Sequence, residues 1–273
     1  MILFIFEGKK AEPRVYKTLK KIFNFNLNGE EVLHYYCSNI FSLYNTIKNE
    51  YGDFDDSIDL VRVLKEEALK HPEVYTNITK IQYSYQVSEI FLFFDYDLNK
   101  IDDKNKLSIS EQNQKITELF DYFEKKASRE RNDVQLYINY PMIESFRYTK
   151  ILPDNNFKDY TFELTSTVGF KELVNDFSDY KSLTQLCFDI NKKSGEIKDN
   201  KDIKVIKQNW EHIKNMNIKK ANLICTGNYA IPSDKSTISQ RKIFEGQMNK
   251  YVTPHNQIAI LNAFPLFLFE YFK

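Results

Sequence analysis

The chain has 273 residues, of which 42% are hydrophobic and 15% aromatic, enough to build one large domain or two smaller ones. Lysine plus arginine and aspartate plus glutamate number 38 each, so overall charge does not favour a polyanionic partner, and any nucleic-acid affinity must come from a local surface or a metal. The scattered cysteines Cys37, Cys187 and Cys225 argue against a disulfide framework and a zinc site of short ligand spacing, and they indicate a reducing cytoplasm.

The first 140 residues or so alternate between apolar runs of strand length and amphipathic segments. The apolar runs predict strands at residues 2–6, 32–37, 90–94 and 134–139. Helices are predicted from Pro13, at residues 40–50 and 58–70, and from an N-cap at Ser110. This alternation predicts an α/β fold, with a mostly parallel sheet flanked by helices and a ligand site at the carboxyl ends of the strands.

Beyond about residue 150 the pattern changes. Residues 170–220 predict helices joined by lysine-rich loops, and residues 240–251 and 257–272 predict a final helix pair. We therefore expect a catalytic domain at residues 1–150, with a helical insertion at about 40–85, and a mostly helical region at 151–273 that packs on it. The chain shows neither a secretory signal pattern nor a predicted membrane span, so we expect a soluble cytoplasmic protein with no membrane partner.

Acidic residues follow three of the predicted strands. Glu7 ends the first strand, Asp95 and Asp97 end the third, and Glu144 comes shortly after the fourth. Residues two apart on an extended chain point the same way, so Asp95 and Asp97 can face one cation. Close carboxylates repel each other unless a metal or a base lies between them, and Mg²⁺ or Mn²⁺ prefers such oxygen ligands. Each carboxylate taken alone is more often a solvated loop residue or a turn cap.

Three motifs in this order resemble a known family. Residues 6–13, Phe-Glu-Gly-Lys-Lys-Ala-Glu-Pro, with Tyr16 after them, resemble the opening EGxxTEpxY signature of the RloB-like proteins of the Toprim group. Residues 95–97 resemble the Toprim DxD motif. Residues 140–144, Tyr-Pro-Met-Ile-Glu, resemble the PxxE segment of the RloB-like and overcoming-lysogenization-defect nucleases. The resemblance covers about the first 150 residues.

The chain departs from the family pattern in three places. Ala11 stands where the family favours threonine. The stretch between the first strand and the DxD motif is longer than in a minimal Toprim domain. The segment after Glu144 lacks the usual Leu-Trp run. These departures leave the subfamily open.

The resemblance implies a Toprim-like domain that cleaves phosphodiester bonds with Mg²⁺ or Mn²⁺. It implies that Glu7 acts as acid or base near the scissile phosphate and that the DxD aspartates bind the metal. The candidate catalytic and metal-binding residues are then Glu7, Glu12, Asp95, Asp97 and Glu144. The basic residues that could hold substrate phosphates are Lys9, Lys10, Arg14 and Arg147, whose alternative role is a solvated helix face.

The resemblance also implies a place in bacterial antiphage defence. Such a nuclease would be a toxic effector that cleaves DNA or RNA, including tRNA, beside an ABC-type ATPase that senses infection. This chain has no P-loop, so we expect the ATPase to be a separate partner. A homo-oligomer is a further partner arrangement that the sequence allows.

Two other classes of function fit parts of the pattern. A GT-A glycosyltransferase also uses a DxD motif, with Mn²⁺ and a sugar nucleotide, and Glu7 and Glu144 would then be incidental. A non-catalytic Toprim-like subunit would keep the shape and serve as a binding surface. Finally, several aromatic residues fit either core packing, which is the commoner role, or stacking on unpaired bases. They are Tyr35, Tyr36, Tyr83, Tyr85 and the many phenylalanines.

Overall fold

The computed structural model describes residues 1–27, 29–52, 54, 58–70, 77–96, 107–129, 133–191, 194, 196–198 and 202–271. The chain packs as two compact units, each built from two stretches. The first unit is Met1–Pro13 with Leu27–Tyr137, and the second is Arg14–Asn26 with Ile138–Lys273. Asp97, the second aspartate of the DxD motif, lies outside the described residues.

A four-stranded parallel sheet with the order β2-β1-β3-β4 confirms the predicted α/β architecture. Its strands are β1 (Ile2–Phe6), β2 (Glu31–Tyr35), β3 (Glu89–Asp95) and β4 (Asp133–Asn139). Both neighbours of β1 run parallel to it, and Phe6 at its end is in register with Tyr35 and Phe93. Every residue of β1 is buried, which is why its sequence is an unbroken apolar run.

Helices connect these strands, as the sequence predicts. They are α1 (Ala11–Phe23), α2 (Ile40–Tyr51), α3 (Leu60–Lys70) and α4 (Ile109–Arg129). The predicted N-cap of α4 at Ser110 is wrong, because Ser108 and Glu111 form a capping box in its place. The Ser108 amide donates to Glu111 Oε2 at 2.7 Å, and the Glu111 amide donates to Ser108 Oγ at 3.2 Å.

The later part of the chain is mainly helical, as predicted, with one exception. Its helices are α5 (Phe170–Phe177), α6 (Ile203–Thr226), α7 (Gln240–Gln247), α8 (Thr253–His255) and α9 (Ala263–Tyr271). The prediction of one helix over 257–272 is partly wrong, because Gln257–Ala259 forms strand β6 and pairs antiparallel with β5 (Thr161–Glu163). Within the described ranges, no helix is long and apolar enough to span a membrane.

Candidate metal and phosphate site

The carboxyl ends of β1 and β3 bring Glu7 and Asp95 into contact. The Glu7 amide donates to the carbonyl of Phe93 at 3.0 Å, which continues the parallel ladder one residue past β1. The Asp95 amide in turn donates to Glu7 Oε2 at 3.0 Å. Asp95 is 6% exposed and Glu7 is half-buried, so this hydrogen bond is partly shielded from water. Two residues predicted for one site from distant sequence positions are therefore adjacent.

Glu12 reaches the same edge of the sheet from the first turn of α1. Its Oε1 accepts a hydrogen bond of 3.0 Å from the Gly8 amide. A Cβ atom on Gly8 would lie only 2.9 Å from Glu12 Oε2, so a side chain at position 8 would displace this carboxylate. Glu12 is buried at 4% exposure.

The turn from β2 into α2 forms the other side of the site. The Cys37 amide donates to the carbonyl of Glu7 at 2.8 Å, and Cys37 has a left-handed backbone conformation with φ of 57°. This conformation turns the chain into α2, where the Asn39 side chain accepts from the Ser42 amide at 2.9 Å. The amino end of α2, with its partial positive charge, therefore faces the same edge as the carboxylates.

A cavity of about 620 Å³ lies at this edge. Its lining residues are Glu7, Gly8, Lys9, Glu12, Cys37, Ser38, Asn39 and Asp95, all of the first unit. The cavity thus combines three carboxylates, one lysine and the start of a helix. Carboxylate oxygens are typical ligands of a divalent cation, and a lysine and a helix end are groups that attract a phosphate.

The three residues from the β2 side were not predicted from sequence. Asn39 directly precedes the predicted helix at residue 40, so its role as N-cap could have been found. Asn39 lies near Glu7 because β2 is next to β1 in the sheet, and no local sequence pattern predicts this strand order. Cys37 and Ser38 carry no local signal of a site.

The other predicted site residues have different surroundings. Lys10 is exposed on the surface. Arg14 belongs to the second unit, where its Nε donates to the carbonyl of Phe188 at 2.8 Å and its Nη2 contacts Asp189 Oδ1 at 2.5 Å. As phosphate contacts, both basic residues remain predictions.

Glu144 and Arg147 lie on one short 3₁₀ turn, Ile143–Arg147, in the second unit. They are 8% and 5% exposed, and α5 supplies a partner to each. Lys171 Nζ lies 3.3 Å from Glu144 Oε1, and Arg147 Nη2 donates to Asn175 Oδ1 at 2.6 Å. In the part of the chain that the structure describes, Glu144 Oε2 and Arg147 Nη1 have no hydrogen-bond partner. Burial lowers the pKa of Arg147, and the charge of Glu144 acts in the opposite direction.

Buried asparagine contacts hold this turn in place. Asn262 Nδ2 donates to the carbonyl of Ile143 and to Ser145 Oγ, both at 3.0 Å. The Asn262 amide donates to Asn217 Oδ1 at 2.7 Å, and Ser145 Oγ donates to the carbonyl of Leu261 at 3.1 Å. The position of Glu144 is therefore fixed by residues more than a hundred positions later in the chain.

The donor chemistry of the cavity suits a hard divalent ion, because Glu7, Glu12 and Asp95 offer carboxylate oxygens. No group of three or more histidine, cysteine, aspartate or glutamate side chains is arranged to hold a metal among the described residues, which do not include Asp97. Comparisons with protein-family models, with curated proteins and with solved structures found no match to this chain.

Proposed function

We propose that this chain is a Toprim-like nuclease that uses Mg²⁺ or Mn²⁺ to cleave phosphodiester bonds. The observation that supports the proposal most directly is the hydrogen bond from the Asp95 amide to Glu7 Oε2. It joins the first carboxylate of the predicted set to the strand end that carries the DxD motif. The proposal would have no basis if these residues lay apart.

The residues divide into roles by their position in the cavity. Glu7 and Asp95 would hold the metal together with Asp97, and Glu12 would support them from α1. A bound divalent ion supplies charge neutralisation at the phosphate and lowers the pKa of a coordinated water. In this proposal Glu7 would also take a proton from the attacking group or return one to the leaving oxygen.

Positive groups at the same cavity fit the substrate rather than the metal. Lys9 lines the cavity and can pair with a phosphate oxygen as a point charge. The start of α2, at Ser38 and Asn39, adds the partial positive charge of a helix end. Glu144 and Arg147 belong to the second unit, and their sequence-based roles in cleavage stay predictions.

The neutral overall charge bears on how such an enzyme would find its substrate. With 38 basic and 38 acidic residues, the chain lacks the field that concentrates nucleic acid around a basic protein. We therefore propose that a separate partner, of the ABC-type ATPase class, supplies part of the binding surface and the trigger. The substrate can be DNA or RNA.

The test is a cleavage assay on the purified chain with end-labelled single-stranded and duplex DNA and RNA, including tRNA. Cleavage should need Mg²⁺ or Mn²⁺ and stop in EDTA. The variants Glu7→Gln and Asp95→Asn should each lose about a hundredfold or more of the rate. The control Glu163→Gln, which changes an exposed carboxylate on β5, should keep it. Undiminished cleavage in both site variants would reject the assignment.

Two outcomes would favour the other classes of function. Hydrolysis of a UDP-sugar or GDP-sugar without any nuclease activity would indicate a glycosyltransferase. Calorimetry that detects no binding of Mn²⁺ to the wild-type chain would indicate a non-catalytic subunit. Each of these results would replace the present proposal.

A further inference from the structure

Two exposed tyrosines lie on a short turn of the first unit. Tyr83 and Tyr85 flank the start of the 3₁₀ turn Ser84–Gln86, and their exposed fractions are 49% and 70%. Core packing, the commoner role for aromatic residues, is therefore the wrong prediction for this pair. Large exposed aromatic side chains that lie together are typical of a binding surface.

The two rings stack on each other in a fixed arrangement. Their centroids are 5.2 Å apart and their planes differ by 11°. The backbone beneath them is held by two hydrogen bonds, from the Tyr83 amide to Gln86 Oε1 at 3.0 Å and from the Gln86 amide to the carbonyl of Tyr83 at 3.1 Å. These bonds hold the backbone of the turn that carries both rings, which reduces the entropy cost of binding a ligand there.

A cavity of about 550 Å³ lies between this turn and α3. Lys65 Nζ on α3 donates to the carbonyl of Ile81 at 2.7 Å and ties the helix to the segment that leads into the turn. Leu69, 69% exposed, adds an apolar side chain to the lining. We call this cavity, with Leu69, Tyr83 and Tyr85, the tyrosine surface.

The charges at the tyrosine surface balance. Arg62 and Lys65 are the basic residues of the lining, and Asp59 and Glu66 are the acidic ones. Arg62 Nε lies 2.8 Å from Glu66 Oε1, so part of this charge is paired on the helix itself. A neutral lining with exposed π faces suits a flat, neutral group rather than a row of phosphates.

We propose that the tyrosine surface binds the unpaired bases of a single-stranded nucleic acid. A base continues the stack of near-parallel rings, and every base offers a π face, so the binding does not depend on sequence. The choice of nucleic acid rests on the proposed nuclease function. Stacking also gives the neutral chain a way to hold a polyanion without an excess of positive charge.

The test measures binding without cleavage. Fluorescence anisotropy of a labelled ten-nucleotide oligothymidylate in EDTA should report binding, and a duplex of equal length should bind more weakly. Tyr83→Ala and Tyr85→Ala should each weaken binding about tenfold, the effect of losing one stacked base. Tyr85→Phe should bind like wild type because it keeps the ring. The control Ile151→Ala, which changes an exposed apolar residue at 67% exposure, should also bind like wild type.

Salt dependence gives a second readout. Binding carried by stacking should weaken only slightly between 50 and 200 mM salt, since few counterions are released, whereas binding to many phosphates weakens by about a thousandfold or more. The proposal would be overturned if both tyrosine-to-alanine variants bind like wild type. It would also be overturned if wild type binds the duplex more tightly than the single strand. A third result would replace the proposal with a protein interface. In that case wild type binds no oligonucleotide but binds a protein partner, and the tyrosine variants lose that partner.

The two proposals can fail separately. If the wild-type chain cleaves no nucleic acid but its oligonucleotide binding depends on the tyrosines, only the nuclease proposal is rejected. If the wild-type chain cleaves nucleic acid and the tyrosine variants bind the oligonucleotide as it does, only the proposal for the tyrosine surface is rejected.

Discussion

The amide of Asp95 donates a hydrogen bond of 3.0 Å to Glu7 Oε2 across the carboxyl ends of two neighbouring strands. The same carboxylate that we propose as a metal ligand is thus also an acceptor for a backbone group of the next ligand. Its structural and chemical roles can be separated by choosing the substitution.

Glu7→Ala and Glu7→Gln should differ in stability but not in activity. Alanine leaves the Asp95 amide without its acceptor, at a cost of about 1–2 kcal/mol of unfolding free energy. Glutamine keeps an oxygen at that position, so it should lower the unfolding free energy less than alanine does. Both variants should lose cleavage because neither has a carboxylate. Urea unfolding beside a cleavage assay makes the comparison. Equal unfolding free energies would show that the amide finds another acceptor.

Gly8→Ala should damage the site more than the fold. The new Cβ would lie 2.9 Å from Glu12 Oε2 and 3.1 Å from Glu12 Oε1, so the carboxylate must move. Because a flexible side-chain end yields easily, we expect less than about 1 kcal/mol of destabilisation together with weaker Mn²⁺ binding and slower cleavage.

Gly169→Ala is the matched control for this substitution. A Cβ on Gly169 would meet no atom within 4 Å, so metal binding and cleavage should not change. A wild-type metal affinity in Gly8→Ala would show that the position of Glu12 does not matter.

His34 should make the protein less stable in acid. It is buried in β2, its Nδ1 has no hydrogen-bond partner within the described residues, and burial lowers its pKa to about 4. Between pH 6.5 and 4 the unfolded chain therefore binds one more proton than the folded chain, and stability falls as the pH falls. The contribution is on the order of 3 kcal/mol across this interval.

The measurement is urea unfolding at pH 6.5 and pH 4.5 for wild type and His34→Leu. The variant should lose less stability than wild type over this interval, because it no longer takes up the proton on unfolding. His255→Leu, which changes an exposed histidine, should follow wild type. Identical pH dependence in His34→Leu and wild type would contradict the burial argument.

Lys220 should make the protein more stable in mild base. Its Nζ is fully buried on α6, where it donates to the carbonyls of Phe157 at 2.9 Å and Tyr160 at 2.5 Å, and burial lowers its pKa to about 7. Above pH 7 the unfolded chain holds a proton that the folded chain has lost, so stability rises with pH toward the unfolded value near 10.5.

Wild type should therefore gain about 2 kcal/mol between pH 7 and 9 from this group. Lys220→Met should lack that gain, and it should be less stable than wild type at pH 9 because two buried carbonyls lose their donor. Lys204→Met, an exposed substitution on the same helix, serves as the comparison. A pH 7 to 9 gain that persists in Lys220→Met would exclude Lys220 as its source.

The parts of the fold that local patterns encode were predictable. β1 and residues 90–94 of β3 are apolar runs because both are buried on both faces, and Glu7 after β1 and Asp95 at the end of β3 mark the carboxyl edge. The pairing of Glu7 with Asp95 follows from two such strands lying side by side. Ser108 could also have been found as the cap of α4, because Glu111 stands three residues later.

The parts that depend on distant partners could not be read in this way. Residues 258–261 form a short apolar run that fits a helix or a strand equally well, and pairing with β5 decides that Gln257–Ala259 is extended. Asn39 faces Glu7 only because β2 lies beside β1. The exposure of Tyr83 and Tyr85 depends on how α3 packs, and the spacing of the two tyrosines in the sequence does not predict that packing.

The asparagine contacts of the second unit have a consequence for synthesis of the protein on the ribosome. Asn262 binds the turn that carries Glu144, yet it is translated 119 residues after Ile143, its partner in that turn. Until that asparagine has left the exit tunnel, a nascent chain lacks the side chain that secures Glu144. This turn can therefore reach its final hydrogen-bonded state only late in the synthesis of the chain.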